Sequence, residues 1–308
     1  MTHSGQWGQI LVDGIASGAM IGLGAIGVTL TYGLLRFANF AHGEFATWGA
    51  YFALVLASAL GALLGGAGDT IGDLTFGWHL VAALLGSMAL TALLALALDW
   101  LLFRRLRRHG SGMVLVIASF GASLALRSLL EFGFTGQPQY YSRDIAMTVQ
   151  ILPGMRATLD QMVVLGVAAL LMLGTHLLLT RTALGRAMRA TSENPDLAKL
   201  AGIDVSGVVR TTWLLGGAMA AAAGVFLGVT VQLRPTMGFE LLLPLFAAAI
   251  LGGIGSVPGA MAGGMIIGIA EAAAVPIAGA QYRAAVAFVV LLAMLLVKPT
   301  GLFGGRAA

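Results

Sequence analysis

Long apolar segments follow one another along almost the whole chain, and they constrain its fold more than any motif does. Nine are recognisable, near residues 9–35, 42–64, 78–103, 112–134, 160–180, 211–232, 241–256, 258–277 and 283–298. A helix needs about 20 apolar residues to cross the hydrocarbon core of a bilayer, and most of these segments qualify. Only 10% of the residues are charged, against about 25% in soluble domains. The sequence therefore predicts an all-α integral membrane protein, a polytopic bundle of eight or nine transmembrane helices in a single domain over residues 1–308.

Basic residues in short loops predict how this bundle is oriented. The run RRLRRH at Arg104–His109 and the loop from Arg181 to Lys199 are both rich in Arg and Lys. Such loops stay on the cytoplasmic side of a membrane. Two apolar segments lie between these loops, so the two assignments agree, and the connection over 135–159 should face outward. Nine crossings put the start of the first helix outside, whereas eight reverse it or make one segment re-entrant.

A water-facing element of about residues 181–210 interrupts the apolar pattern. One short helix is predicted from Thr182 to Ala190. A second follows, because the favoured residue stands at each of its positions: Asn194 as N-cap, Pro195 at the first helical position, Asp196 near the positive helix end, Lys199 in the last turn and Gly202 just past the end. An ordered loop between two spans is the simpler interpretation. A surface that contacts another protein is the functional one.

Two glycine-rich breaks, at Arg36–Tyr51 and Ile250–Gly264, interrupt helical patterns. Interrupted helices are a known pointer to transport sites, although close helix packing through glycine explains them equally well. The segment near 241–256 is short for a span and is predicted to be re-entrant or packed inside protein.

The first break contains Asn39, His42 and Glu44 close to Arg36. Ionisable groups inside a membrane cost about 2.5–3.5 kcal/mol on insertion scales, so they persist where they are paired, solvated or at an interface. One hypothesis places Asn39, His42 and Glu44 along a translocation path or gate. The other has them satisfy the backbone at a helix break, with Arg36 at the interface. Glu271, alone in an apolar segment, is a further candidate for the path, although a hydrogen bond between helices is its simpler role.

The sequence excludes several kinds of chemistry. The chain has no cysteine, which rules out a disulfide, a Cys-ligated metal and a thiol nucleophile. His-Gly-Glu at His42–Glu44 matches half of the zinc deaminase motif, but the other half needs cysteines. There is no P-loop and no H-E-x-x-H. We therefore predict no catalytic residue, no metal site and no cofactor, and do not expect the chain itself to be an enzyme. The net charge of +4 does not suggest a nucleic-acid partner.

Three ordered motifs together resemble one family. They are GVTLTYGLLRFANFAHGEFATWGAY near the start, GRAMRATSENPDLAKLAGID followed by GGAMAAAAGVFLG, and AAAILGGIGSVPGAMAGGMIIGIAE near the end. Over almost its whole length the chain resembles the bacterial branched-chain amino acid ABC transporter permeases. FANFAHGE is most similar to the LivH-type member of the permease pair.

The resemblance implies a multi-pass inner-membrane permease that works by alternating access. Its partners would be a second permease, homologous or identical, two cytoplasmic ABC ATPase subunits that hydrolyse ATP, and a periplasmic substrate-binding protein. The 181–210 element would be the cytoplasmic coupling element that docks on an ATPase. The residues that this implies are Gly185, Arg186, Arg189, Glu193, Asn194, Pro195, Asp196 and Gly202.

Two alternatives stay open at the level of sequence. Related permeases import urea, short-chain amides or other small organic solutes, and no residue of this chain decides among these substrates. A stand-alone channel or secondary transporter would have the same composition, but it would not need the water-facing helix pair.

Overall fold

Helices form nearly all of the structure, a computed structural model that describes residues 3–64, 74–75, 77–134, 136–142, 147–152 and 154–304. The longer helices are α1 (His3–Leu35), α2 (His42–Leu64), α3 (Trp78–Leu98), α5 (Gly112–Phe134), α6 (Leu159–Arg181), α9 (Val205–Thr230), α10 (Met237–Gly252), α11 (Val257–Ala278) and α12 (Arg283–Val297). The shorter helices are α4 (Arg104–His109), α7 (Ala183–Glu193) and α8 (Pro195–Leu200). A π-helical turn at Asp99–Phe103 joins α3 to α4, and a 3₁₀ turn at Ala280–Tyr282 precedes α12.

The predicted all-α polytopic bundle is confirmed. Within the described residues, eight helical stretches are long and apolar enough to cross a membrane, and α10, with 16 residues, is a shorter apolar helix. The exception to the helical fold is a two-stranded antiparallel hairpin, β1 (Thr148–Leu152) and β2 (Met155–Thr158). It lies in the 135–159 connection, whose residues 135, 143–146 and 153 fall outside the described part.

The two ends of the bundle are distinct. We call the end that carries α4, α7 and α8 the basic face, and the end that carries β1 and β2 the hairpin face. Helix α1 connects them. Near its start, Gln9 Oε1 accepts a hydrogen bond of 3.0 Å from the Arg156 amide of β2. At its end, Arg36 Nη2 donates a hydrogen bond of 2.9 Å to the Ser192 carbonyl of α7.

Helix α10 is a shorter apolar helix that returns the chain to the basic face. Helix α9 rises from the basic face and ends at Thr230, whose hydroxyl contacts the sulfur of Met20, well inside α1. The chain then pairs Leu233 with Gln139 of the hairpin-face connection before α10 begins. Helix α10 ends at the basic face, where the Leu251 carbonyl accepts a bond of 2.8 Å from the Leu302 amide. The short segment predicted near 241–256 is therefore a helix packed inside protein. Helix α1 begins on the hairpin face, where Gln9 contacts Arg156, and α12 ends on the basic face, close to the bond between Leu251 and Leu302.

Glycines bring α1 and α11 into backbone contact. A Cβ atom added to Gly268 would collide with the backbone N and Cα of Gly18, and one added to Gly264 would collide with the backbone of Gly22. Small residues at such positions let membrane helices approach closely. Gly174 on α6 differs, because nothing lies within 4 Å of an added Cβ there.

We expect Gly268→Ala and Gly174→Ala to change stability in opposite directions. The methyl group at residue 268 must push α1 away, and overpacking of this kind costs about 1–3 kcal/mol. At residue 174 the methyl group meets open space, and Ala stabilises a helix by about 1 kcal/mol relative to Gly. The measurement is the midpoint of thermal unfolding in detergent, monitored by fluorescence-detected size-exclusion chromatography. Equal midpoints for the two variants would contradict the close α1–α11 contact.

Candidate functional site

The predicted pair of short helices on the basic face is confirmed as α7 and α8. The Asn194 side chain accepts hydrogen bonds of 3.0 Å from the amides of Asp196 and Leu197, as an N-cap does. Pro195 occupies the first turn, and Lys199 donates a bond of 3.1 Å to Asp196. Gly202 follows the helix with φ +82°, the left-handed conformation that favours glycine. Residues 205–210 of the predicted element form the first turns of α9.

The residues predicted to touch an ATPase are oriented in two ways. Seven of the eight are exposed, namely Arg186, Arg189, Glu193, Asn194, Pro195, Asp196 and Gly202. Gly185 is buried, because α7 packs so closely on the end of α6 that an added Cβ would collide with the Leu179 carbonyl. The guanidinium of Arg189 donates a bond of 2.6 Å to that same carbonyl. Gly185 and Arg189 therefore fix α7 against α6, which the spacing of the sequence does not show.

Helix α8 also exposes two leucines that were not among the predicted contact residues. Leu197 is 64% exposed and Leu200 88% exposed, on an element too short and too polar to enter a membrane. The signal was present in the sequence, since Leu197 and Leu200 are spaced i, i+3 and share one side of the helix. We call Leu197, Leu200 and the exposed charges Arg186, Glu193 and Asp196 the docking surface.

The N-cap residue Asn194 should stabilise α8 and with it the docking surface. Replacing Asn194 with Ala removes the acceptor for two amides and should cost α8 about 1 kcal/mol, whereas Gly at an N-cap costs only a few tenths. We therefore expect the amides of Asp196 and Leu197 to exchange hydrogen about fivefold faster in Asn194→Ala. Asn194→Gly is the matched control and should stay near the native rate. Hydrogen–deuterium exchange with mass spectrometry measures both, and unchanged exchange in Asn194→Ala would show that the cap does not hold α8.

The end of α1 joins α7 to the rest of the bundle. Arg36 has φ +54° and is the one described non-glycine residue with a positive φ. Its amide still donates to the Tyr32 carbonyl at 2.8 Å, while its guanidinium reaches Ser192 of α7. Two turns earlier, the Thr29 hydroxyl accepts a bond of 2.7 Å from the Gly255 amide, in the connection between α10 and α11. The last two turns of α1 and Arg36 therefore contact both α7 and the second helix break.

The first break brings Asn39, His42 and Glu44 into the bundle interior. His42 Nε2 bonds to the Gly24 carbonyl at 3.1 Å, and since a carbonyl only accepts, this nitrogen carries the proton. Gly24 lies eleven residues before the end of α1, which is about 16 Å along the helix. Helix α2 therefore starts deep below the basic face. Glu44 is 0% exposed, and its Oε1 accepts a bond of 3.1 Å from the Ser123 hydroxyl.

Each of these three side chains keeps one polar atom without a hydrogen-bond partner in the described part of the chain. The atoms are Asn39 Nδ2, His42 Nδ1 and Glu44 Oε2. Asn39 Oδ1, by contrast, accepts a bond of 3.1 Å from the Ala41 amide and helps to shape the break. Buried polar groups are nearly always paired, so each of these open atoms is suited to take a partner from water or a solute.

A second helix start meets the first at this depth, and no pattern in the sequence reveals the contact. Gly43, in the first turn of α2, lies against Gly238, in the first turn of α10. A Cβ on either would collide with the carbonyl of the other. Starts of interrupted helices carry partial positive charge and line the substrate sites of many transporters.

Glu271 lies apart from this cluster. Its helix, α11, packs Ile269 against Gly14 of α1, whereas His42 bonds to Gly24. Ten residues of α1 separate those levels, about 15 Å. Glu271 is buried with one carboxylate oxygen unpartnered among the described residues, but the structure does not bring it to the first break.

Charged side chains around these regions form pairs. Asp99 pairs with Arg107 at 2.6 Å, as its position beside the basic loop predicts. Arg127 and Glu131 pair at 3.8 Å along α5, and the Arg127 guanidinium also lies over the Phe239 ring. In the part of the chain that the structure describes, no group of three His, Asp or Glu side chains is placed to hold a metal ion.

Comparison with known proteins points to one family. A family model described as "Branched-chain amino acid transport system / permease component" matches residues 10–297. The chain is 33% identical over 301 residues to the high-affinity branched-chain amino acid transport system permease protein BraD of Pseudomonas aeruginosa, covering 96% of this chain and 95% of that protein. It is 33% identical over 309 residues to the LivH permease protein of Escherichia coli K12, with the same coverage.

A more distant relative agrees. The chain is 30% identical over 311 residues to a probable branched-chain amino acid transport permease protein LivH of Methanocaldococcus jannaschii, covering 96% of this chain and 92% of that protein. No solved structure matches the chain. The alternative substrates and the stand-alone channel are not favoured by these relatives, all three of which are transport permeases.

Proposed function

The chain belongs to the family of branched-chain amino acid transport system permease components, and we propose that it forms the translocation path of an ATP-driven importer for branched-chain amino acids. Its eight long apolar helices make it a multi-pass membrane protein. The proposed membrane is the bacterial inner membrane, with the basic face in the cytoplasm. The chain itself carries solute, and ATP hydrolysis takes place on partner subunits.

One observation carries the proposal of an ATP-driven machine, namely the docking surface. A channel has no need of a capped, water-facing helix pair that exposes two leucines beside charged side chains. Hydrophobic anchors of this kind, surrounded by charges, are typical of protein–protein contacts. We assign the two cytoplasmic ATPase subunits as the partners of this surface, one for this chain and one for a second permease subunit.

The proposed mechanism is alternating access, in which the docking surface moves with the ATPases. Arg36 and Ser192 transmit the movement of α7 to the end of α1, and the residues after Arg36 lead directly into the start of α2. The solute passes beside Asn39, His42 and Glu44, where two helix starts meet. The solute must be released on the inner side of the membrane. The affinity of this site for the solute should therefore differ between the two states and be low in at least one of them. A periplasmic binding protein would supply the selectivity.

Copurification and uptake test the proposal together. A tagged chain, extracted gently from its native membranes, should bring down two P-loop ATPase subunits and a second permease in fixed ratio. The same complex in liposomes, with its binding protein added, should accumulate leucine, isoleucine or valine only when ATP is present. A chain that purifies alone and moves solute without ATP would instead be a channel or secondary transporter.

A further inference from the structure

A cavity of about 690 Å³ opens on the basic face, apart from the cluster at the first break. It lies between the ends of α1 and α6, helix α7 and the connection between α10 and α11. Ligand pockets in proteins typically measure about 300–1,000 Å³, so the cavity is large enough for a small solute. Neither the docking surface nor the Asn39, His42 and Glu44 cluster lines it.

The polar part of the cavity favours an anion. Arg36 and Arg189 both line it, His176 lies beside them, and no Asp or Glu is among its lining residues. Each guanidinium donates one N–H to a backbone carbonyl, Arg36 to Ser192 and Arg189 to Leu179, which fixes its position. A guanidinium has five N–H donors, so several remain for a ligand. The planar fork of arginine matches a carboxylate well.

A helix start adds to this positive potential. Helix α11, 22 residues long, begins at the cavity with Ser256 as its N-cap, and both Ser256 and Val257 line the wall. The start of a helix this long carries a partial positive charge. The two arginines and this helix start therefore both favour the binding of an anion.

The rest of the wall combines the polar side chains of Thr29, Tyr32, Thr180, Ser192 and Thr212 with a set of aliphatic ones. The aliphatic side chains include those of Leu30, Leu34, Leu179, Met188 and Val257. An inorganic anion would leave these surfaces wet, whereas a carboxylate with a short branched hydrocarbon tail would satisfy the charged part and the apolar part together.

We propose that this cavity is a second solute site, which binds a small aliphatic carboxylate from the side of the basic face. The proposal that this ligand is a branched-chain amino acid rests on the function proposed above. An anionic phospholipid shares the same chemistry, a negative group attached to hydrocarbon, and the experiment must separate the two sources.

The test is equilibrium dialysis of labelled L-leucine against the purified full chain in nanodiscs of phosphatidylcholine. We expect saturable binding that is at least tenfold weaker in Arg189→Gln and less weakened in Arg189→Lys, which keeps the charge but not the planar fork. Arg105→Gln is the matched control, because Arg105 lies on α4 of the same face but is exposed and outside the cavity. It should bind leucine like the native chain. 4-Methylpentanoate should compete with leucine, whereas L-leucinamide, which has no carboxylate, should not.

Three results would overturn the proposal. They are the absence of saturable leucine binding, an equal loss in the Arg189→Gln and Arg105→Gln variants, and competition by L-leucinamide as strong as that by 4-methylpentanoate. To test for lipid, the chain is placed in nanodiscs that contain phosphatidylglycerol, and native mass spectrometry then shows whether this lipid stays bound. Retained phosphatidylglycerol that depends on Arg189, without leucine binding, would assign the cavity to lipid instead. No ATPase is present in this assay, so failed ATP-driven uptake by the whole complex with intact leucine binding would count only against the proposed function.

Discussion

Replacing both Leu197 and Leu200 with Asp should lower ATP-driven uptake at least tenfold while the chain still reaches the membrane in normal amounts. Burying a leucine side chain is worth about 1.5–3 kcal/mol, and each 1.4 kcal/mol changes an affinity about tenfold. Because both side chains are largely exposed in the chain alone, their replacement should cost little folding stability. The measurement is uptake by reconstituted complex, together with the amount of ATPase that copurifies.

The matched control keeps the apolar character of the surface. Leu197→Met and Leu200→Met change the shape of each side chain but leave it hydrophobic, so the complex should assemble and take up solute at near the native rate. Loss of uptake with full ATPase binding would mean that these leucines act after docking. Full uptake in the Asp variant would show that transport does not require the docking surface.

Replacing Glu44 with Gln should also lower uptake at least tenfold, with the fold retained. The amide oxygen of Gln can still accept the hydrogen bond from Ser123, so the local packing survives. What the substitution removes is the carboxyl group, whose second oxygen has no partner in the described protein. Glu44→Ala should in addition destabilise the chain by about 1–3 kcal/mol, since it leaves the buried Ser123 hydroxyl unpaired.

The control for this prediction is Ser123→Ala, which breaks the same hydrogen bond but keeps the carboxyl group. It should retain most of the uptake. Uptake rates in liposomes and unfolding midpoints, measured on all three variants, separate transport from stability. Normal uptake in Glu44→Gln, or an equal loss in Ser123→Ala, would make Glu44 a structural group at the helix break.

The parts of this molecule that depend on local sequence were predictable. The cap at Asn194, the turn at Gly202 and the pairing of Asp99 with its basic neighbours follow from residues a few positions apart. The all-α class follows from the length of the apolar segments. The bounds of α8 were predicted almost to the residue, because a polar cap and a glycine mark its two ends.

Contacts between distant parts of the chain were not predictable from one sequence. Nothing near Gly43 shows that it will meet Gly238, almost two hundred residues later. Arg186 and Arg189 look equivalent in sequence, yet packing of α7 on α6 turns one to solvent and the other to a backbone carbonyl. Glu271 looks as suited to the path as Glu44, and only the antiparallel packing of α1 on α11 separates them.

The left-handed backbone of Arg36 would bias the equilibrium between the two states of the proposed transport cycle. Such a conformation costs a residue other than glycine about 1–2 kcal/mol. The hydrogen bond from Arg36 to Ser192 offsets part of that cost only while α7 stays in place. Once α7 moves away, the backbone is free to relax, and a release of about 1.4 kcal/mol changes a population ratio tenfold. In the proposed mechanism, a small displacement of α7 by an ATPase would therefore be enough to let the end of α1 change its backbone conformation.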